Sequence, residues 1–260
     1  MRFLLPRWLS RARVASRRAA EQLVADGEVR VNGAVCRDVL RLVDPDRDVI
    51  LVRGVPVRAV PATTWLALNK PAGVVCTTRD PEGRRTVLDL VAEEGATVPG
   101  LAPVGRLDRA SAGLVLLTDD HALAARLLDP ASHVAKVYRV KVRGHPDDAA
   151  LGALRHDTLV DDGWVLGPME VTVDAVRPRS TWLGIVLREG KNRQIRRRLD
   201  AVGHPVELLI RTAVGPVTLS VPGGGELPVG AIRPLTDAER AALDPGPGAG
   251  PLAGRDIEAG

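Results

Sequence analysis

The chain has 260 residues, of which 45% are hydrophobic but only 2% aromatic, so it can bury a sizeable core of aliphatic side chains. No apolar run approaches the ~20 residues that a membrane-spanning helix needs, and the two cysteines, Cys36 and Cys76, fit no metal-binding spacing, so we predict a cytoplasmic protein. The net charge is +4, yet residues 1–60 hold twelve arginines against seven acidic residues, which concentrates positive charge at the start of the chain.

Two short helices and a small sheet are predicted within residues 1–60. Residues 3–9 have the apolar spacing of a short helix, and a second helix is predicted to begin at Ser16 and to end at Gly27. Alternating side chains around Asn32-Gly33 indicate a hairpin, and residues 49–52 a further strand.

This arrangement resembles the α-L RNA-binding module, also called the S-four type. The matching residues are Val14–Arg18, Gly27–Val29 and Val31–Gly33. The resemblance implies phosphate contacts from arginines near the start of the second helix, namely Arg11, Arg13, Arg17 and Arg18. A solvated basic helix face is the alternative interpretation.

The remaining chain is predicted to form a larger domain over residues 61–240, followed by a disordered tail over 241–260 that is rich in Gly, Pro and Ala. Strands are predicted at 64–68, 138–142, 169–176, 182–187 and 217–221. Helices are predicted at 86–93, 121–128, 147–154 and 191–202. Strands and helices mix without strict alternation, which favours an α+β fold.

Residues 105–120 place a carboxylate where it can carry chemistry. Asp108 lies between Arg106 and Arg109, and the wholly apolar run Leu114–Leu117 predicts a buried strand just after it. A carboxylate beside a buried strand is held rigidly, and flanking arginines suit a polyanionic partner. Taken alone, an aspartate in a loop is most often a helix cap or a solvated charge.

Two further segments strengthen this interpretation. Tyr138, the one tyrosine of the chain, follows Lys136 in a predicted strand in which these two side chains share a face and Arg139 points the other way. A tyrosine beside cations can stack on an unpaired base. Residues 189–198 read Glu-Gly-Lys-Asn-Arg-Gln-Ile-Arg-Arg-Arg, a basic segment that could also serve only to bind phosphate.

In this order the three segments resemble the catalytic motifs of the pseudouridine synthases, in particular the RsuA/RluB-type branch that modifies ribosomal RNA. The run Leu68–Gly73, Leu-Asn-Lys-Pro-Ala-Gly, resembles a further motif of that family. The resemblance implies that Asp108 is catalytic, that Tyr138 stacks on the target uracil and that Arg196 pairs with the carboxylate. It also implies RNA contacts from neighbouring basic residues, namely Arg106, Lys191, Arg193 and Arg197.

The resemblance implies an α+β protein in which a small N-terminal α-L module precedes a mixed, mostly antiparallel sheet. The expected activity is isomerisation of a uridine in ribosomal RNA, with the large-subunit RNA preferred. No cofactor or metal is expected, because the reaction involves no net redox change. The expected partner is ribosomal RNA or a pre-ribosomal particle, and the expected state is a monomer without membrane association.

Two other functional classes fit parts of the sequence. A non-enzymatic RNA-binding or ribosome-assembly factor would keep the basic module, but it would not need Asp108, Tyr138 and Arg196 together. An unrelated RNA hydrolase using Asp108 would need a second acid or a metal cluster, and no such cluster has metal-ligand spacing.

Overall fold

The computed structural model describes residues 2–12, 14–15, 17–57 and 63–243. The predicted cap Ser16, the predicted RNA contact Arg13 and nearly all of the predicted tail lie outside the described residues, as does the side chain of Arg11. The chain forms two compact units, which we describe separately. The first comprises the residues up to Thr64 together with 97–101 and 118–120, and the second comprises the rest.

The first unit contains two helices and a small sheet. Its elements are β1 (Phe3–Leu4), α1 (Leu5–Arg11), α2 (Arg17–Ala25), β2 (Val29–Val31), β3 (Ala34–Cys36), β4 (Leu42–Val43), β5 (Ile50–Val52) and β6 (Val55–Pro56). Four strands pair in the order β3-β2-β5-β6, and β1 pairs with β4. The predicted hairpin is confirmed, and both of its turn residues, Asn32 and Gly33, have positive φ angles of 52° and 86°.

The core of the first unit is aliphatic, as its composition indicates. Leu5 and Leu9 of α1 and Ala20 and Val24 of α2 are fully buried and pack with Val29 of β2. The spacing of these residues, four positions apart on each helix, places them on one face. Burial of these two helical faces therefore holds α1 and α2 against the small sheet.

The second unit mixes strands and helices along the chain. Its elements are β7 (Trp65–Lys70), α3 (Val87–Glu93), β8 (Ala102–Pro103), β9 (Ala112–Thr118), α4 (His121–Leu128), β10 (Lys136–Arg143), α5 (Asp148–His156), β11 (Leu159–Asp161), β12 (Trp164–Leu166), β13 (Glu170–Arg177), β14 (Ser180–Leu187), α6 (Gln194–Ala201), β15 (Val206–Val214), β16 (Val217–Thr218), β17 (Ile232–Pro234) and α7 (Asp237–Leu243). A 3₁₀ turn spans Pro130–Ser132.

A nine-stranded sheet organises this unit. Its order is β13-β14-β10-β15-β9-β7-β17, with β16 beside β15 and β8 beside β9. β10 pairs antiparallel with both β14 and β15, whereas β15 and β9 run parallel. This mixed, largely antiparallel sheet with helices confirms the α+β prediction. Separately, none of the helices in the described part of the chain is long and apolar enough to span a membrane.

The strand after Asp108 is buried on both of its faces. All residues of β9 except Ala112 are buried, and Leu114 and Leu116 pack in the main core with Trp65 and Ala67 of β7. Gly113 has a φ of +107°, and a Cβ atom there would lie 2.2 Å from the Arg211 carbonyl oxygen. Only glycine therefore permits β9 and β15 to approach this closely.

Three sequence predictions need correction. The strand predicted at 217–221 is limited to Val217–Thr218, and the helix predicted at 191–202 begins at Gln194. Arg193 has left-handed backbone angles, φ 49° and ψ 30°, which are incompatible with a helix that includes it. Strand β15 was not predicted, because Glu207 and Arg211 interrupt its apolar pattern.

Candidate active site

A cavity of about 350 Å³ lies within the second unit. The loop before β9, the strands β10 and β15, and the segment leading into α6 all contribute to its wall. The three residues to which the sequence assigned chemistry, Asp108, Tyr138 and Arg196, line this one cavity. Predicted RNA contacts also line it, namely Arg106, Lys191 and Arg193.

Asp108 lies in the loop before β9, and its backbone is held by local hydrogen bonds. Its carbonyl oxygen accepts a hydrogen bond of 2.9 Å from the Ser111 N–H. The neighbouring Arg109 carbonyl oxygen accepts one of 2.7 Å from the N–H of Gly73, whose φ is +95°. The turn over residues 70–73 thus supports the loop that carries Asp108.

The carboxylate of Asp108 pairs with a different arginine from the one predicted. Its Oδ2 lies 3.6 Å from Arg193 Nη1, and its side chain keeps 39% of its surface exposed. The ion pair predicted between Asp108 and Arg196 is absent from the described residues. The reason is the late start of α6, because the left-handed turn at Arg193 brings this arginine to the carboxylate.

Arg196 contacts the same loop through another residue. Its Nη2 donates to Ser111 Oγ at 3.2 Å and its Nη1 to the Val206 carbonyl oxygen at 3.5 Å, while its Nε is buried with no acceptor among the described residues. Burial lowers the pKa of the Arg196 guanidinium, and the neighbouring Arg193 lowers it further, whereas Asp108 opposes the shift. The charge of Asp108 therefore acts on the Arg196 guanidinium.

Tyr138 lies on the cavity side of β10. It is buried, and Arg139 points to the other face, where its guanidinium lies 5.1 Å from the ring centroid of Trp182. The predicted alternation is therefore confirmed. Lys136, on the Tyr138 face, donates to the Val134 carbonyl oxygen at 3.1 Å, and burial, with a smaller effect from Arg211, lowers the pKa of its ammonium.

The sequence analysis missed Arg211, which lies on β15 directly opposite Tyr138. Its side chain is 3% exposed, and its Nε donates to the Leu114 carbonyl oxygen at 2.7 Å. Its Nη1 makes a longer contact of 3.5 Å with the Arg106 carbonyl oxygen. A lone arginine inside the apolar run Leu208–Val214 was the available signal.

Lys70 is another buried cation that belongs to a predicted motif. It is fully buried, and its Nζ donates to the carbonyl oxygens of Pro71 and Val74 at 2.8 and 2.9 Å. Burial is the main cause that lowers the pKa of its ammonium. Lys70 thus closes the turn that supports the Asp108 loop.

Lys191 lies at the cavity rim and pairs with Glu189 at 2.6 Å. Glu189 also accepts a hydrogen bond from Gln194 Nε2. Burial acts to raise the pKa of the Glu189 carboxyl, but the hydrogen bonds from Lys191 and Gln194 outweigh it and leave the pKa lowered.

Two arginines of the basic segment, Arg197 and Arg198, bind other groups of the protein and expose little of their surface. Arg197 pairs with Asp161 at 2.6 Å and with Asp162 at 3.5 Å, and its side chain is only 17% exposed. Arg198 is buried and donates to four backbone carbonyl oxygens, those of Ala153, Leu154, Leu166 and Gly167. The β11–β12 hairpin and α5 supply these partners, and the phosphate contact of Arg197 stays a prediction.

The predicted RNA contacts of the first unit are partly described. Arg17 is 68% exposed and lies 3.5 Å from Glu21, and Arg18 is exposed. Both are therefore available to a phosphate backbone.

As for metals, no group of three or more His, Cys, Asp or Glu side chains within residues 2–57 and 63–243, as far as these are described, could hold an ion.

Comparison with protein families gives two matches. The RNA pseudouridylate synthase family matches residues 64–201, and the S4 domain matches residues 4–49. A relative from Mycobacterium leprae named "Uncharacterized RNA pseudouridine synthase" is 42% identical over 83% of this chain and 84% of its own length.

Two further similarities extend this result. The Arabidopsis thaliana protein "Putative ribosomal large subunit pseudouridine synthase SVR1, chloroplastic" is 34% identical over 81% of this chain and 54% of its own length. A crystal structure described as a pseudouridylate synthase superposes with a TM-score of 0.60 at 24% identity, covering 92% of this chain and 99% of that one. At this identity the superposition shows a shared fold.

Proposed function

The chain belongs to the RNA pseudouridine synthase family, and we propose that it isomerises a specific uridine of ribosomal RNA to pseudouridine, with large-subunit RNA preferred. One observation carries the assignment of residues: Asp108, Tyr138 and Arg196, far apart in sequence, line the same cavity of about 350 Å³.

In this proposal Asp108 is the catalytic group. The reaction breaks the bond between C1′ and N1 of the uridine and rejoins the base through carbon 5. A carboxylate serves at the sugar as nucleophile or as base, and it must be ionised to do so. Arg193 Nη1 lies 3.6 Å from Asp108 Oδ2 and pairs with this carboxylate at the cavity.

Tyr138 holds the target base in this proposal. The base must leave the RNA stack, which costs a few kcal/mol, and stacking on an aromatic ring returns ~1–3 kcal/mol. The tyrosine ring lies in the wall of the cavity that Asp108 also lines. Arg196 positions the loop through Ser111, at 3.2 Å.

Basic side chains hold the RNA backbone. We propose phosphate contacts from the exposed arginines Arg17 and Arg18 in the S4 domain and from Arg106, Lys191 and Arg193 at the cavity. Arg11 and Arg13 remain proposed contacts from the sequence. These contacts position the RNA without reading its sequence, as is usual for phosphate contacts.

The choice of ribosomal RNA, and of the large subunit, has two supports. The chain joins the synthase family to an S4 domain, and its Arabidopsis relative is named as a ribosomal large subunit enzyme. We further propose that the protein acts as a monomer and that its partner is ribosomal RNA or a pre-ribosomal particle.

Mapping the pseudouridines of ribosomal RNA in wild-type and deletion strains tests it. We expect one uridine, in large-subunit RNA, to remain unmodified in the deletion strain. Re-expression of the wild-type chain should restore the modification, and re-expression of Asp108→Asn should not. Identical maps from the two strains, with modification lost from another RNA, would assign a different substrate.

A further inference from the structure

Arg211 is a buried cation that has no carboxylate partner among the described residues. Its Nε and Nη1 contact carbonyl oxygens, whereas its Nη2 is buried and has no hydrogen-bond acceptor in the described protein. Burying a charge is costly unless it is paired. The free protein thus keeps an unsatisfied donor and an uncompensated charge at this position.

This unsatisfied arginine belongs to the wall of the cavity. Arg211 and Tyr138 are directly opposite each other on antiparallel strands, so their side chains share a face of the sheet, with Cβ atoms ~4.5–5.5 Å apart. Both residues line the cavity together with Asp108. A base stacked on Tyr138 would therefore lie beside the guanidinium of Arg211.

Two other buried arginines leave only their Nε without an acceptor, whereas Arg211 leaves a terminal nitrogen without one. Arg198 uses both of its terminal nitrogens, each on two carbonyl oxygens. Arg233 forms an ion pair with Glu239 at 2.6 Å. Neither lines the cavity, and in both the Nη atoms have acceptors within the protein.

A second cation accompanies Arg211 in the same wall. Lys136 lines the cavity, is partly buried and donates only to the Val134 carbonyl oxygen among the described residues. Asp108, by contrast, already has Arg193 as its partner. The wall around Tyr138 is thus positively charged and suits a ligand that is, or becomes, negative.

We infer that Arg211 donates from Nη2 to a carbonyl oxygen of the target uracil and stabilises the negative charge of the base once it is detached. The inference rests on the proposed function and adds a binding residue for the leaving base. When the C1′–N1 bond breaks, its electron pair stays with the base, and the uracil monoanion shares its charge among N1, O2 and O4.

The remaining steps make the base neutral again and need no co-reactant. Carbon 5 of the base forms the new bond to C1′, and the hydrogen on carbon 5 is lost as a proton while N1 gains one. The product is an isomer of the substrate. A preorganised donor aimed at charge that develops during the reaction is worth about 10²–10³-fold in rate.

The competing explanation is purely structural. Arg211 also contacts the carbonyl oxygens of Arg106 and Leu114, on either side of Asp108, so its loss could simply misplace that residue. A misplaced carboxylate slows the reaction of every base equally. Loss of charge stabilisation, in contrast, harms a poor leaving base more than a good one.

The test uses the full chain and an RNA fragment that contains the mapped uridine, made with uridine or with 5-fluorouridine at that position. Fluorine withdraws electrons and stabilises the detached base anion. The rate compared on the two RNAs is that of C1′–N1 cleavage, because a carbon 5 that bears fluorine has no proton to lose in the final step. We expect Arg211→Met to lose about 10²–10³-fold in this single-turnover rate on uridine, and at least about tenfold less on 5-fluorouridine. RNA affinity should change by less than about threefold, because phosphate contacts dominate it.

Arg198→Met is the matched control, since it removes a buried arginine outside the cavity, and it should change both rates by the same factor. Equal losses on the two RNAs for Arg211→Met would overturn the inference. If Arg211→Met does not fold, as judged by thermal unfolding, the same comparison is made with Arg211→Lys, and equal losses again overturn it. A wild-type chain that converts neither RNA contradicts the proposed function instead.

Discussion

Arg196 Nη2 donates to Ser111 Oγ at 3.2 Å, and this contact connects α6 to the loop that carries Asp108. Ser111 in turn donates its backbone N–H to the Asp108 carbonyl oxygen at 2.9 Å. Arg196 therefore reaches the proposed catalytic residue through an intermediate side chain, while Arg193 forms the direct ion pair. The sequence had assigned the contact with Asp108 to Arg196 alone, whereas in the structure Arg193 makes the ion pair and Arg196 contacts the loop through Ser111.

We predict that Arg196→Ala lowers the single-turnover rate of pseudouridine formation far more than Arg197→Ala does. Arg196→Lys should also be poor, because an ammonium cannot contact both Ser111 and Val206 as a guanidinium does. Arg197→Ala is the matched control, because it removes ion pairs outside the cavity that are worth ~0.2–1 kcal/mol of stability each. Similar modest losses in both alanine variants would show that the segment is only a basic patch.

Asp108→Asn should abolish pseudouridine formation and leave RNA affinity within about tenfold, or ~1.4 kcal/mol. The amide keeps the shape of the side chain but cannot act as nucleophile or base. Single-turnover assays and RNA-binding titrations measure the two effects separately. Asp129→Asn, which alters another acid in the cavity lining, should keep near wild-type activity; appreciable turnover by Asp108→Asn would refute the catalytic assignment.

Tyr138→Phe should bind RNA nearly as the wild type does, because its stacking face is unchanged. Tyr138→Ala should lose ~1–3 kcal/mol of stacking energy, measured as a change in RNA dissociation constant. If the hydroxyl also relays a proton from carbon 5, the Phe variant will accumulate an unfinished intermediate. Equal affinities of the Ala and Phe variants would exclude the stacking role.

The buried Lys70 should make stability depend on alkaline pH. Burial lowers the pKa of its ammonium below the ordinary value of 10.5, so between the folded-state pKa and 10.5 the unfolded chain binds more protons. The free energy of unfolding therefore rises with pH across that range. Denaturant titrations should show a smaller rise of the unfolding free energy with pH in Lys70→Met. The control Lys141→Met alters a partly exposed lysine of β10 and should show the same rise as the wild type. An unchanged rise in Lys70→Met would refute the prediction.

The exposed arginines of α2 should set the salt dependence of RNA binding. Replacing Arg17 and Arg18 together by alanine should make the slope of log affinity against log salt shallower by ~0.7–0.9 for each lost phosphate contact. Turnover at saturating RNA should be unchanged, because neither residue lines the cavity. Arg53→Ala removes an arginine of equal exposure that pairs with Glu28 and is the control; equal slopes in all three proteins would indicate that α2 does not touch the RNA backbone.

The sequence alone was sufficient for the family and for several local elements. Asn32-Gly33 predicted its hairpin because only a few residues adopt positive φ readily, and the side chains of Lys136, Tyr138 and Arg139 alternate as a strand requires. The apolar run after Asp108 predicted the buried strand β9. Each of these features depends on neighbours within a few positions, so the order of residues specifies it.

Only the tertiary structure decided which charged side chains meet. Arg211 and Tyr138 are neighbours because β15 pairs with β10. A linear sequence does not distinguish a buried arginine from an exposed one. The left-handed turn at Arg193 brings that residue, in place of Arg196, to Asp108. Partners such as Asp161 for Arg197 come from a distant hairpin, because ion pairs depend on distances in space that sheet pairing and helix packing create.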